Sequence, residues 1–125
     1  LARPSGGREV AGSNPVAPTK IKMEKVNIFY TTASNDIDLE SFVKNLLNKK
    51  GVVCVNTIKN VASFYKEGDR IIESVECVFL IKTILNKNEL EKILIPIHPY
   101  EIPFIKEIIT GKTNEDYLKW VMKNL

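Results

Sequence analysis

This 125-residue chain has no long hydrophobic run, one histidine and two cysteines. No apolar stretch approaches the roughly 20 residues that cross a bilayer as a helix, so no membrane partner is expected. The single histidine, His98, cannot alone supply the imidazoles of a typical closed transition-metal site. The two cysteines, Cys54 and Cys77, lack CxxC spacing and each sits inside an apolar, strand-like run. Buried free thiols in a reducing compartment, and hence a cytoplasmic location, are expected in place of a disulfide or a zinc site. No Ser-His-Asp order, glycine-rich phosphate loop or HExxH pattern occurs. Enzymatic chemistry therefore has no visible basis.

A strong excess of one charge is missing too. Arg3, Arg8, Lys20 and Lys22, set against Glu9, account for the whole formal charge of +3. The remainder is neutral and offers no clustered cationic face for releasing phosphate counterions, which argues against a nucleic-acid partner. Residues 1–22 also hold three of the six glycines and three of the six prolines and show no hydrophobic periodicity. They are expected to be a disordered or non-native tail. The chain opens on Leu1, the run Gly7 to Thr19 reads like a translated non-coding stretch, and Met23 is the expected natural start of a domain covering residues 23–125.

Within that domain, Val26 to Thr32 is β-branched and aromatic and runs into a turn at Ala33-Ser34-Asn35-Asp36, predicting a first strand. Leu39, Phe42, Val43, Leu46 and Leu47 recur at helical spacing, with Asp36 or Asp38 to cap the start and Gly51 to end the element. Val52 to Tyr65 and Ile71 to Leu85 predict two strands of about 14 residues, far above the usual 5 to 6, joined as a hairpin. Asn86 and Glu89 have capping-box spacing before the stripe Leu90, Ile93, Leu94 and Ile97. Pro96 falls in the last turn of that helix and should distort or end it. Phe104 to Thr110 predicts a fourth strand, Gly111-Lys112-Thr113 a turn, and Asn114 to Leu125 a capped C-terminal helix. The order implies an α+β fold, a ferredoxin-like βαββαβ sandwich with a long central hairpin and an extra C-terminal helix. A sheet covered by helices on one face leaves the other bare, and the overlong strands leave unpaired edges, so an obligate homo-oligomer is expected.

The most unusual segment is His98-Pro99-Tyr100-Glu101-Ile102-Pro103. Each proline fixes its own φ near −65° and drives the preceding residue toward extended geometry, making a fixed bend that carries polar groups. Together with Cys54-Val55-Asn56, Ser63-Phe64-Tyr65, Ile81-Lys82-Thr83 and Tyr117-Leu118-Lys119-Trp120, in that order, it resembles the CutA divalent-cation tolerance family over roughly residues 25–122. The resemblance implies a tight homotrimer whose long hairpins pair between subunits, and a role in tolerance of copper and other divalent ions. Departures are visible. Glu67 stands where the family commonly has tryptophan, Asp69 where it has glycine with Gly68 displaced by one, and Thr31 where some members carry a cysteine at the end of the first strand.

These residues give two candidate sites. His98 could lend a neutral imidazole nitrogen and Glu101 a carboxylate to copper or another divalent metal, against a hydrogen-bonded bend histidine and a surface carboxylate. Asn56, Tyr65, Lys82 and Tyr100 could hold a small anionic ligand in an intersubunit cleft, against an intersubunit hydrogen-bond network. On this reading the function is homotrimeric metal tolerance with weak intersubunit metal binding, or alternatively a trimeric small-molecule sensor or signalling scaffold.

Overall fold

A computed structural model describes residues 25–125; the expected tail at 1–22 and start at Met23 lie outside the described residues. The elements are β1 (Asn27–Ser34), α1 (Leu39–Leu47), β2 (Val52–Glu67), β3 (Arg70–Thr83), α2 (Lys87–Leu94) with a 3-10 turn at Ile95–Ile97, β4 (Ile105–Ile108) and α3 (Glu115–Lys123). All four strands form one antiparallel sheet in the order β2-β3-β1-β4. This is the ferredoxin-like arrangement that the element order implied.

Local chemistry sets the helix ends. The Asp38 carboxylate accepts from the Ser41 backbone N–H at 3.2 Å, satisfying one of the orphan donors at the start of α1. At α2 the capping box is complete, since Glu89 N–H donates to Asn86 Oδ1 and Asn86 N–H donates to Glu89 Oε1, each at 2.9 Å. Pro96 cannot donate, and the α-helix gives way to the 3-10 turn just before it. Asn114 stands at the N-cap position of α3 but makes no side-chain cap bond, contrary to the capped start expected there.

Phe29 and Ala33 of β1, Phe42 and Leu46 of α1, Cys77, Phe79 and Ile81 of β3, and Leu90 and Leu94 of α2 make the core between the sheet and the first two helices. The second sheet face is not bare. Strand alternation puts Lys82 on it, opposite to Ile81, and the Tyr117 ring of α3 lies 5.9 Å from Lys82 Nζ. An amphipathic stripe shows that α3 buries a side but not which sheet face it meets. Cys77 faces the first two helices and Cys54 the second face, because Cys54 pairs with Lys82. Both thiols are free, and Cys54 is only half-buried.

Strand lengths differ from expectation for reasons of pairing. β1 runs two residues further because Ala33 and Ser34 pair with Cys77 and Glu76. β4 is shorter, ending at Ile108, and Ile84 and Leu85 fall outside β3. The hairpin loop is only Gly68-Asp69, with Gly68 at φ 62° and Glu67 opposite Arg70. Positive φ at the first central residue alone is the type II′ pattern that glycine permits. An exposed Arg70 to Glu67 ion pair of 3.2 Å spans this tip. β1 pairs with β3 only as far as Glu76, so Val61 to Val75 form a two-stranded arm projecting past the sheet.

Candidate functional site

The bend after α2 is tied to the open edge of β1. His98 takes φ −73° and ψ 136°, the extended geometry its following proline imposes. The Tyr100 backbone N–H donates to His98 Nδ1 at 3.1 Å, so Nδ1 carries the lone pair and the neutral ring holds its proton on Nε2. That Nε2–H points at the Thr32 carbonyl oxygen at 3.0 Å and at Thr31 Oγ1 at 3.1 Å. Both ring nitrogens are thus engaged. The ring is buried, with Phe42 edge-on at 6.2 Å and Tyr100 at 5.2 Å. Burial pushes the imidazole below its ordinary value, opposed by the Thr32 bond and the charge of Glu76.

Beyond His98 the chain carries Tyr100 around the sheet edge to the second face, where its hydroxyl donates to Glu76 Oε2 at 2.6 Å. Burial raises Glu76, but hydrogen bonds from Ser63, Tyr100 and Thr32, together with the charge of His98, outweigh it and hold the carboxyl below its ordinary range. The Tyr100 phenol is pushed well above its ordinary value, first by burial and then by the Glu76 carboxylate, with Tyr65 nearby adding to the rise. Thr32, Ser63, Tyr65, Glu76 and Tyr100 therefore form one polar cluster at the base of the arm. Tyr100→Phe should cost about 1 to 2 kcal/mol by removing a charge-assisted bond, and should raise the Glu76 titration midpoint, measured by carbon-detected NMR of the side-chain carboxyl.

The six residues singled out from sequence are distributed unequally over this geometry. The pairings place Cys54, Lys82, Ile28 and Ile108 in one row across the second face and Asn56, Leu80, Tyr30 and Lys106 in the next, so Asn56 and Lys82 are diagonal neighbours. Tyr65 does not join them. It pairs with Ile72, nine residues further along β2 than Asn56, or about 30 Å of strand. Within one copy Tyr65 and Tyr100 instead lie with Glu76 at the arm, apart from Asn56 and Lys82. Thr83, next to Lys82 in the chain, faces the other way and donates to the Gly51 carbonyl oxygen at 2.7 Å.

His98 is at the bend, while Glu101 is exposed. Among the described residues no three His, Cys, Asp or Glu side chains gather in a way that could hold a metal ion. Within one copy, then, the donors do not fit a closed metal site. Sequence reasoning missed Glu76, Ser63, Thr32 and the Asn35–Asn60 pair described below. One signal existed: Glu76 is a carboxylate embedded in the apolar run Val75 to Ile81, where charge is costly unless partnered.

A family model described as CutA1 divalent ion tolerance protein matches residues 27–124. The Divalent-cation tolerance protein CutA of Pyrococcus horikoshii is 35% identical over 97 residues, covering 77% of this chain and 94% of that protein. The Protein CutA homolog of Xenopus laevis is 31% identical over 93 residues, covering 74% of this chain and 62% of that protein. Among solved structures, CutA1 from Ehrlichia chaffeensis superposes with a TM-score of 0.69 at 28% identity, covering 80% of this chain and 94% of that one. CutA1 from Pyrococcus horikoshii gives 0.67 at 33%, covering 77% and 94%. With the family model spanning residues 27–124 and a relative 35% identical over 97 residues, the chain belongs to the CutA1 divalent ion tolerance protein family.

Proposed function

We propose that this chain acts in divalent-cation tolerance as a cytoplasmic homotrimer without enzymatic activity, with weak contacts to copper or another divalent ion completed between copies. The observation that carries the reading is the unsupported arm. Phe64 is 65% and Ile71 73% exposed on a ribbon that, among the described residues, has no third strand beside it. Such a surface calls for a partner, and the outer edges of β2 and β4 offer unpaired backbone groups for one. The name of the family supports the cation role, and the donor chemistry supports its weakness. Glu101 is the exposed carboxylate that a neighbouring copy can complement. His98 can contribute Nε2 only by giving up its proton and its bond to the Thr32 carbonyl, which makes binding weak and dependent on pH.

Light scattering should give three times 14.2 kDa, and copper titration should weaken in both Glu101→Gln and His98→Ala. A single 14.2 kDa particle would remove the trimer, and unchanged titrations would remove the ion contacts. The first strand offers a sharper version of the same test. Thr31 Oγ1 lies 3.1 Å from His98 Nε2, so Thr31→Cys sets a thiol beside the imidazole and creates a soft ligand pair. Copper affinity should rise by about tenfold or more, read by competition with a chromophoric chelator.

A further inference from the structure

Midway along β2 an irregularity changes which side chains the arm shows to each side. From Ile58↔Val78 to Val61↔Glu76, β2 advances three residues while β3 advances two in the opposite direction. One surplus residue is therefore held in β2 as a bulge. Asn60 stands there at φ 62°, a left-handed conformation that asparagine tolerates better than most residues. Because strand side chains alternate faces, the surplus residue inverts every position beyond it. In an unbroken ladder Asn60 would lie opposite Glu76, and Ala62 and Phe64 would share the carboxylate's face. With the bulge, Val61 lies opposite Glu76 and Ser63 and Tyr65 share that face.

Asn35 grips the bulge from the end of β1. Its Nδ2 donates to Asn60 Oδ1 at 3.0 Å, and its Oδ1 accepts from the Asn60 backbone N–H at 3.0 Å and from Cys77 Sγ at 3.4 Å. Its own backbone N–H donates to the Val75 carbonyl oxygen at 3.1 Å. It sits where β1 stops pairing and the sheet narrows to the two strands of the arm.

We infer that Asn35 is the positioning residue that fixes the register of the arm. By holding the surplus residue at Asn60, it turns Ser63 and Tyr65 toward Glu76 and Tyr100, and leaves Ala62 and Phe64 on the opposite face, beside Ile71 of β3, for a second copy of the chain. The last clause rests on the oligomeric reading above; the assignment of faces does not.

The groups around Glu76 are Thr32 from β1, Ser63 from β2, and Tyr100 and His98 from the bend. Only Ser63 depends on the bulge, so the Glu76 carboxyl titration, followed by NMR, reports the register. Asn35→Ala and deletion of Asn60 should each move that titration up toward the ordinary value, as Ser63→Ala does in an intact arm. Adding Ser63→Ala to either should move it no further, the non-additivity of residues that act through one contact. Asn60→Gly, which keeps the positive φ and the N–H, should titrate like wild type. If Asn35→Ala does not fold, Asn35→Asp keeps the acceptor for the Asn60 N–H but sets two oxygens against each other, and should give a partial upward shift. Wild-type titration in Asn35→Ala or Asn35→Asp, or a full extra shift from Ser63→Ala, overturns the inference. Light scattering separates the two readings. A monomeric wild type defeats the oligomer alone, whereas a trimeric wild type should dissociate at a concentration about tenfold higher once Asn35→Ala disturbs the arm.

Discussion

His98→Ala should lower the stability of the folded chain by about 2 to 4 kcal/mol, measured by urea unfolding at neutral pH. Three losses add. The buried ring leaves a cavity against Phe42, the Thr32 carbonyl loses its donor, and the Tyr100 N–H loses its acceptor inside a bend that two prolines already deprive of backbone donors. A histidine held only as an exposed ligand would cost almost nothing when truncated.

The same ring sets a pH dependence with a definite sign. Its folded value lies below the ordinary 6.5, because burial disfavours the imidazolium. The unfolded chain then binds more protons in the interval between the two values, so stability is full above about 6.5 and falls as pH drops toward the lower folded value. Glu76, also held below its ordinary 4.5, acts in a second window, adding stability above 4.5 that is lost as pH falls through its folded value. In His98→Ala the first decline should vanish and the second remain. Urea midpoints measured from pH 7.5 to 3.5 on both proteins check this, and a decline through pH 6 that survives in His98→Ala would contradict the assignment.

What is legible in the sequence is chemistry that is local along the chain. The Asp38 cap, the Asn86–Glu89 box and the break before Pro96 each depend on residues within four positions, and each stands in the fold as written in the chain. The family could be read because five short motifs occur in a set order. What could not be read depends on one residue meeting another far along the chain. The bulge at Asn60 needs Asn35, 25 positions earlier, and without it the alternation of β2 assigns Ser63 and Tyr65 to the wrong face. Tyr65 and Lys82 are separated by something simpler, since a hairpin turning at Gly68-Asp69 carries them to opposite ends of the ladder whatever the bulge does. The covering of the second face by α3 was hidden because amphipathicity encodes that a helix side is buried and leaves its partner unspecified. Glu76 carries a local signal, a carboxylate within an apolar run, but its partner Tyr100 lies 24 positions away and local chemistry does not name it.

The second large effect concerns the arm. On the proposed trimer, Phe64→Asp combined with Ile71→Asp should give monomers while leaving far-ultraviolet circular dichroism unchanged. Within one copy these side chains stabilise little, being 65% and 73% exposed. They lie on one face of the ribbon, Phe64 opposite Glu73 and Ile71 opposite Lys66, away from the Glu76 cluster. Burying each at an interface contributes about 1.5 to 3 kcal/mol, so the pair supplies about 3 to 6 kcal/mol per subunit, or two to four decades in dissociation constant. The introduced carboxylates add desolvation and, near a symmetry axis, mutual repulsion. The control is Glu73→Ala, which removes a charge from the same face without creating one and should leave the mass unchanged. Sedimentation from micromolar to nanomolar concentration separates the outcomes. If the double variant sediments as wild type, the arm's apolar face is not what joins the copies, and the outer edges of β2 and β4 become the place where association must be sought.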